Sequence, residues 1–342
     1  MRGLSCSSVA KGMPLCPPSR IVYPWAMTHL LLTGAGFTHN WGGWLAKEVE
    51  GDLFDRIAGS PGTQAVLQQS SGFEAALEAL REESNRGTPG AKDRYDLLQR
   101  AVGDCFREMN VALADRNFNF STDRAFSVSG FLGRFDAIFT LNQDLLLELH
   151  YDPSLEDERR WIGFNFPGVA GVPVKSGFKA DRVDQKCNVL GPVAPAKHIQ
   201  PIYKLHGSTD WIDDSGDLFV VGGGKESYIE SKPILKFYLD EFRRMLARPK
   251  ARLMVIGYGF LDNHINRTLE ESWKDNPTLS IFYVDPRGRD AIHAGVTRTL
   301  PQWTPPLGYI GCIGESRRFL SSTFAGDQLE FKKLKRFFAA GL

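Results

Sequence analysis

Short, continuous apolar runs recur along this chain, and each one ends in a glycine or polar corner. Leu30-Leu31-Leu32 leads into Thr33-Gly34-Ala35-Gly36, Phe135 to Thr140 into Leu141-Asn142-Gln143-Asp144, and Arg252 to Ile256 into Gly257-Tyr258-Gly259. Pro201 to Leu205 and Leu279 to Val284 repeat the pattern, ending in His206-Gly207-Ser208 and Asp285-Pro286. Runs without alternation are what strands buried on both faces of a parallel sheet require. Between them the apolar positions switch to helical spacing: Leu45 to Ile57, then Phe73, Ala76, Leu77 and Leu80, then a stripe from Tyr95 to Leu113. Later helices are marked by Leu235, Tyr238, Leu239 and Phe242, and by residues 263–273. Ser71 and Glu74 read as an S-x-x-E capping box. Leu218 to Val221, followed by Gly222-Gly223-Gly224, reads as a hairpin edge.

The pattern predicts an α/β fold: a Rossmann-like parallel sheet with helices on both faces, a helical insertion at about 60–130, and a small irregular subdomain. The domain expected to carry the chemistry spans 27–315, with a Pro- and Gly-rich lid at 151–200 and a C-terminal helix in 316–342. Residues 1–26 are rich in Ser, Pro and Cys and lack any acid, which marks them as a disordered or non-native extension ahead of Met27. The basic run Lys332, Lys333, Lys335, Arg336 reads first as a solvated helix face, with partner docking as the sharper alternative.

Composition narrows the classes. A chain of 342 residues with 42% apolar content can bury a sizeable core. Its net charge of +1 argues against broad attraction to nucleic acid or anionic membrane. No stretch approaches the roughly 20 apolar residues of a spanning helix. The five cysteines are scattered, odd in number and without a CxxC pair, so neither a paired-cysteine zinc site nor a disulfide framework is expected. That fits a reducing cytoplasm.

Candidate chemistry collects at the strand ends, because ligands of open parallel sheets bind beyond the carboxyl edge. Asn142 and Asp144, two apart after a strand, can point to one side; equally, they can cap the helix Leu145–His150. His206, at a strand end and followed by glycine, is the strongest acid/base candidate of the seven histidines. Gly34 to Thr38 and Gly257 to Gly259 are turns through which a backbone could approach phosphates, and Asp285 occupies a ribose-binding position.

In order, Gly34-Ala35-Gly36-Phe37-Thr38, Thr140-Leu141-Asn142-Gln143-Asp144, Leu205-His206-Gly207, Gly257-Tyr258-Gly259 and Asp285 resemble the sirtuin superfamily of NAD-consuming enzymes. Two departures stand out. The segment after the first turn, Gly42-Gly43-Trp44-Leu45-Ala46-Lys47, lacks the family's acid, phenylalanine and arginine, and the four-cysteine zinc module is missing. The chain therefore looks like the divergent bacterial branch of sirtuin-like NADases that act as effectors of antiviral defence. The resemblance implies NAD as substrate, no metal, and hydrolysis of the nicotinamide–ribose bond. It further implies a homo-oligomer, or a complex with an ATPase or Argonaute-type partner. Asn142 would hold the ribose or attacking water, Asp144 would orient the carboxamide, and His206, near its reference pKa of about 6.5, would be the base. Gly34, Ala35, Gly36, Phe37, Thr38, Gly257, Tyr258, Gly259 and Asp285 would hold the rest of NAD. Competing expectations are a non-catalytic NAD or ADP-ribose sensor, an NAD-dependent protein deacylase, and an ordinary Rossmann dehydrogenase. The last is disfavoured by the missing GxGxxG.

Overall fold

The computed structural model describes residues 27–155, 160–171, 182–220, 222, 224–299 and 311–339. The extension 1–26, the end of the hairpin at Val221 and Gly223, and parts of the lid lie outside the described residues.

Strands β1 (His29–Thr33), β2 (Ala137–Thr140), β3 (Gly163–Asn165), β4 (Val169–Ala170), β5 (Cys187–Val189), β6 (Ile199–Lys204), β7 (Gly207–Asp213), β8 (Gly216–Phe219), β9 (Arg252–Ile256), β10 (Ser280–Val284) and β11 (Cys312–Ser316) follow in chain order. Seven of them build one sheet in the order β11-β10-β9-β1-β2-β6-β3, parallel at every junction. The expected parallel α/β sheet is therefore present. Leu30, Leu31, Leu32, Ile138, Phe139, Leu253 and Met254 have no exposed surface, so the unbroken apolar runs are the middle of the sheet.

The chain starts at the centre. It passes to β2 and then to the edge strand β3, comes back to insert β6 between them, crosses to β9 on the other side of β1, and continues outward to β11. Right-handed crossovers made in opposite directions put their helices on opposite faces. The direction reverses between β1 and β9, and this is where doubly wound sheets open a crevice.

Four long-range expectations are corrected. The helix at 71–83 is Phe73–Asn85, and no side chain caps it: Gly72 precedes it at φ +145°, and the Glu74 carboxylate pairs instead with Lys225 at 2.9 Å. The helical region holds one helix more than expected, Pro61–Gln69, between Ala46–Arg56 and Phe73–Asn85, with Ala91–Ala114 following. The lid region is not simply irregular, because β4, β5, β7 and β8 form a second sheet. Strands of two or three residues leave no readable period. In 316–339 the expected C-terminal helix is Gln328–Arg336, and a short helix, Leu320–Phe324, precedes it. Among the described residues no helix is long and apolar enough to cross a membrane.

Candidate functional site

Register positions the candidate residues. Thr33 lies opposite Thr140 and Ile256, Thr140 opposite Lys204, and Ile256 opposite Val284. These five end their strands level with one another, so Gly34, Leu141, Leu205, Gly257 and Asp285 all leave the sheet at one edge. Asn142 and His206 follow one residue later on neighbouring strands.

Beside the first glycine corner, a chain of side-chain hydrogen bonds joins two strand ends. Asn142 Nδ2 donates to Thr38 Oγ1 at 2.8 Å, and Thr38 Oγ1 donates to Asp144 Oδ2 at 2.8 Å. Asp144 Oδ1 also accepts from the Leu146 backbone N–H at 3.0 Å. Asp144 therefore holds the first N–H of the helix Leu146–His150 and anchors Thr38 at once. Asn142 is half-buried, whereas Thr38 and Asp144 are buried. Burial pushes the Asp144 carboxyl above its ordinary range, against the pull of Lys204, the Leu146 N–H and Thr38.

Lys204, unremarked in the sequence, completes this floor. Its ammonium donates to the Asp144 carbonyl at 2.6 Å, Glu148 Oε1 at 2.6 Å and Ser208 Oγ at 2.8 Å. Lys204 and Glu148 are each 1% exposed. Burial raises the Glu148 pKa, and Lys204 opposes the rise. The readable signal was a lysine inside an otherwise apolar strand, Ile202-Tyr203-Lys204-Leu205. Thr38, Thr140, Asn142, Asp144 and Lys204 line a cavity of about 10 Å³, closed by Phe37, Leu147, Glu148 and Phe166. That is room for about one water molecule.

His206 does not line this cavity. Its Nε2 faces Nε2 of His264 at 3.0 Å, so one imidazole donates to the other, and the Leu141 backbone supplies a further hydrogen bond. Burial drives the His206 pKa down to about 3 and lowers that of His264 as well. The expected histidine near 6.5 is corrected: a ring with 3% exposure cannot readily carry charge. Asp262, which precedes the helix Asn263–Asp275, flanks the pair. Burial opposes its ionisation, yet Lys225, 2.7 Å away, holds the carboxyl well below the usual range. Lys225 bridges Asp262 and Glu74, and these two carboxylates raise its pKa despite burial. His206, Asp262 and His264 bring ligand atoms within 4.8 Å of one another, a donor set suited to a metal ion. The Lys225 ammonium on the same carboxylate opposes a dication there.

The two glycine corners close on each other. Gly34 N donates to Ile256 O at 3.0 Å, Gly36 N to Gly257 O at 2.9 Å, and Gly257 N to Val284 O at 3.0 Å. Gly257 is at φ +62°, and a Cβ there would lie 2.3 Å from the Phe37 nitrogen, so only glycine fits. These N–H groups are thus committed within the protein. Ala35 is exposed at the corner, and Phe37 is buried against Trp41 with ring centroids 5.1 Å apart. Tyr258 is buried, its hydroxyl 3.0 Å from Asn266 Oδ1; Gly259 is half-buried. Asp285 accepts from the Arg287 backbone N–H at 2.8 Å and pairs with its guanidinium at 3.1 Å.

A family model described as a SIR2-like domain matches residues 136–298, which include Asn142, Asp144, His206 and Gly257. Among solved structures, a Sir2 homolog–NAD complex is 14% identical, with 91% of each chain covered and a TM-score of 0.40. A Sir2–p53 peptide–NAD+ complex is 10% identical over 90% of this chain and 94% of that one, with a TM-score of 0.40. No curated protein matches the sequence.

Proposed function

We propose that this chain is an NAD+ glycohydrolase that cleaves the nicotinamide–ribose bond to give nicotinamide and ADP-ribose. The observation that carries this reading is the Asn142–Thr38–Asp144 chain at the carboxyl edge of β1 and β2, of which Asn142 and Asp144 lie inside the stretch matched by the SIR2-like domain model. Bond cleavage builds positive charge on the ribose while a cationic pyridinium becomes neutral nicotinamide. Positioned dipoles serve that chemistry better than a strong acid. Asn142, with one amide N–H fixed by Thr38, presents its remaining polar atoms to the ribose or the attacking water. Asp144 holds Thr38 and, through it, Asn142. Burial keeps His206 unprotonated at neutral pH but also makes it a poor proton acceptor, so its role as base requires the site to open and relieve that burial. Its Nε2 has to leave His264 before it takes a proton. The corners Gly34–Thr38 and Gly257–Gly259 flank the phosphates, and Asp285 the adenosine ribose.

A dinucleotide does not fit a cavity of about 10 Å³, so Phe166 and Leu147 must move for NAD to enter. A closed resting site suits an effector held inactive until an ATPase or Argonaute-type partner, or self-assembly, opens it during anti-phage defence. The same closure, with the engagement of His206 by His264, favours a second reading, a non-catalytic NAD or ADP-ribose sensor. Chromatography of NAD incubated with the protein, alone and with the products of neighbouring genes, separates the two. The enzyme releases nicotinamide, and Asn142→Ala lowers the rate on the order of 10²–10³-fold without loss of fold. Saturable ADP-ribose binding with no nicotinamide under any of these conditions selects the sensor. An Asn142→Ala protein as fast as the parent removes the site assignment.

A further inference from the structure

A second cavity, of about 1390 Å³, opens at the opposite end of the strands. Its lining includes His29 at the start of β1, Arg134 ahead of β2, and Trp161 ahead of β3. Strands of about five residues therefore set it about 16 Å from the candidate site. Six cations line it: Arg124, Arg134, Arg160, Lys332, Lys335 and Arg336; Asp123 is the one acid in the lining. The chain as a whole carries a net charge of only +1, so positive charge collects in this groove, although Arg160 is itself paired with Asp136.

The cations come from several elements. Lys332, Lys335 and Arg336 form one face of the helix Gln328–Arg336, with exposed Leu329 beside them. Like charges at i, i+3 and i, i+4 destabilise a helix. The dipole of the last turn offsets this in part, but it does not account for Arg124, Arg134 and Arg160 elsewhere in the lining. Among the described residues, no carboxylate pairs with Lys332, Lys335 or Arg336, whereas Lys333, off the groove, pairs with Glu330 at 3.3 Å. Aromatic surface is interleaved with the charge: the Arg160 guanidinium lies 4.8 Å from the half-buried Trp161 ring, and Arg134 5.9 Å from the Phe338 ring.

We infer that this groove binds single-stranded nucleic acid. Cations from several elements of the lining match a phosphodiester backbone, and the half-buried Trp161 and Phe338 rings among them supply aromatic surface for stacking with bases. The cavity exceeds the roughly 300–1000 Å³ that encloses one small ligand, which favours a chain over a mononucleotide. Near-neutral total charge is compatible with this, because binding depends on the local field within a Debye length of about 8–10 Å.

Fluorescence anisotropy of a fluorescein-labelled dT20 with the full-length protein at 50 mM salt tests the inference. The expected result is saturable binding that weakens as salt rises. K332E/K335E/R336E should weaken it at least tenfold and flatten the log–log salt slope by about 2. Arg124→Glu, outside the helix Gln328–Arg336, should weaken it several-fold. Trp161→Ala should cost at least fivefold with little change in salt slope, the sign of lost stacking. Unchanged far-UV circular dichroism of these surface variants separates lost binding from lost fold. Absence of binding, equal affinity for a 20-base-pair duplex, displacement by ADP-ribose at equimolar nucleotide, or indifference to both charge-reversal proteins would each overturn the inference.

Discussion

Lys204 is buried in a strand, with three oxygen acceptors within 2.8 Å and the phenyl ring of Phe166 at 5.8 Å. Its charge is tolerable only because Glu148 and the Asp144 carbonyl surround it, and the reverse holds for Glu148. Removing one member of a buried pair is far more damaging than replacing both, since a desolvated charge is left without its counterion. Lys204→Met should therefore lower unfolding stability by about 3–5 kcal/mol. The double variant with Glu148→Leu should recover much of that loss, as read by urea denaturation. Equal losses in the single and double variants would mean that the pair contributes through packing alone. A glutamate and a lysine 56 positions apart carry no sequence signal of their pairing; only the misfit of a charge in an apolar run pointed to Lys204.

At the scale of elements, the His206–His264 contact ties the junction of β6 and β7 to the helix Asn263–Asp275. Both rings are neutral in the folded protein, whereas an unfolded histidine titrates near 6.5. As pH falls below 6.5 the unfolded chain takes up protons that folded His206 refuses until about pH 3, so stability is complete above 6.5 and declines below it. From pH 6.5 to 5 this one group should remove about 2 kcal/mol. The window lies above the normal titration range of aspartate, so Asp262, with its lowered pKa, does not contribute there. His206→Gln should show a visibly shallower dependence of urea-unfolding stability on pH between 7.5 and 5; parallel curves for parent and variant would remove the assignment. The strands and the long helices were legible because burial on both faces, or on one stripe, leaves a periodic trace. Arg252–Ile256 has the same limits in sequence and structure. The site was legible only as far as the ends of those strands. Thr38 to Asp144 and His206 to His264 are contacts across 106 and 58 positions, fixed by sheet order, and local pattern encodes neither. The Ser71–Glu74 capping motif misled for the same reason, since a distant lysine took the glutamate.

The whole molecule holds two apolar cores. One encloses the sheet; the other, containing Val49, Leu53, Leu67, Phe73, Leu77, Leu80, Leu98 and Val102, lies within the helices from Ala46 to Ala114. Trp44 and Phe106 pack against both. The end of the helix Ala91–Ala114 enters the sheet core through Met109, Leu113 and Ala114, and polar ties add to it: Asn110 accepts from the Leu145 N–H and donates to Thr209, and Lys225 reaches Glu74. A block with its own core, joined to the sheet core mainly through the end of one helix, is suited to open as a unit without loss of the sheet. Native-state hydrogen exchange should then show residues 73–105 opening at a lower free energy than the amides of β1 and β9. Leu80, with no exposed surface, tests the boundary: Leu80→Ala should lower protection throughout the helical block by about 2–5 kcal/mol while β1 and β9 keep theirs. An equal fall in both regions would make the chain one cooperative unit. Separate opening would also release Glu74 from Lys225 and leave Asp262 as the sole carboxylate on that ammonium, so the state of the helical block would reach the His206–His264 pair through Lys225.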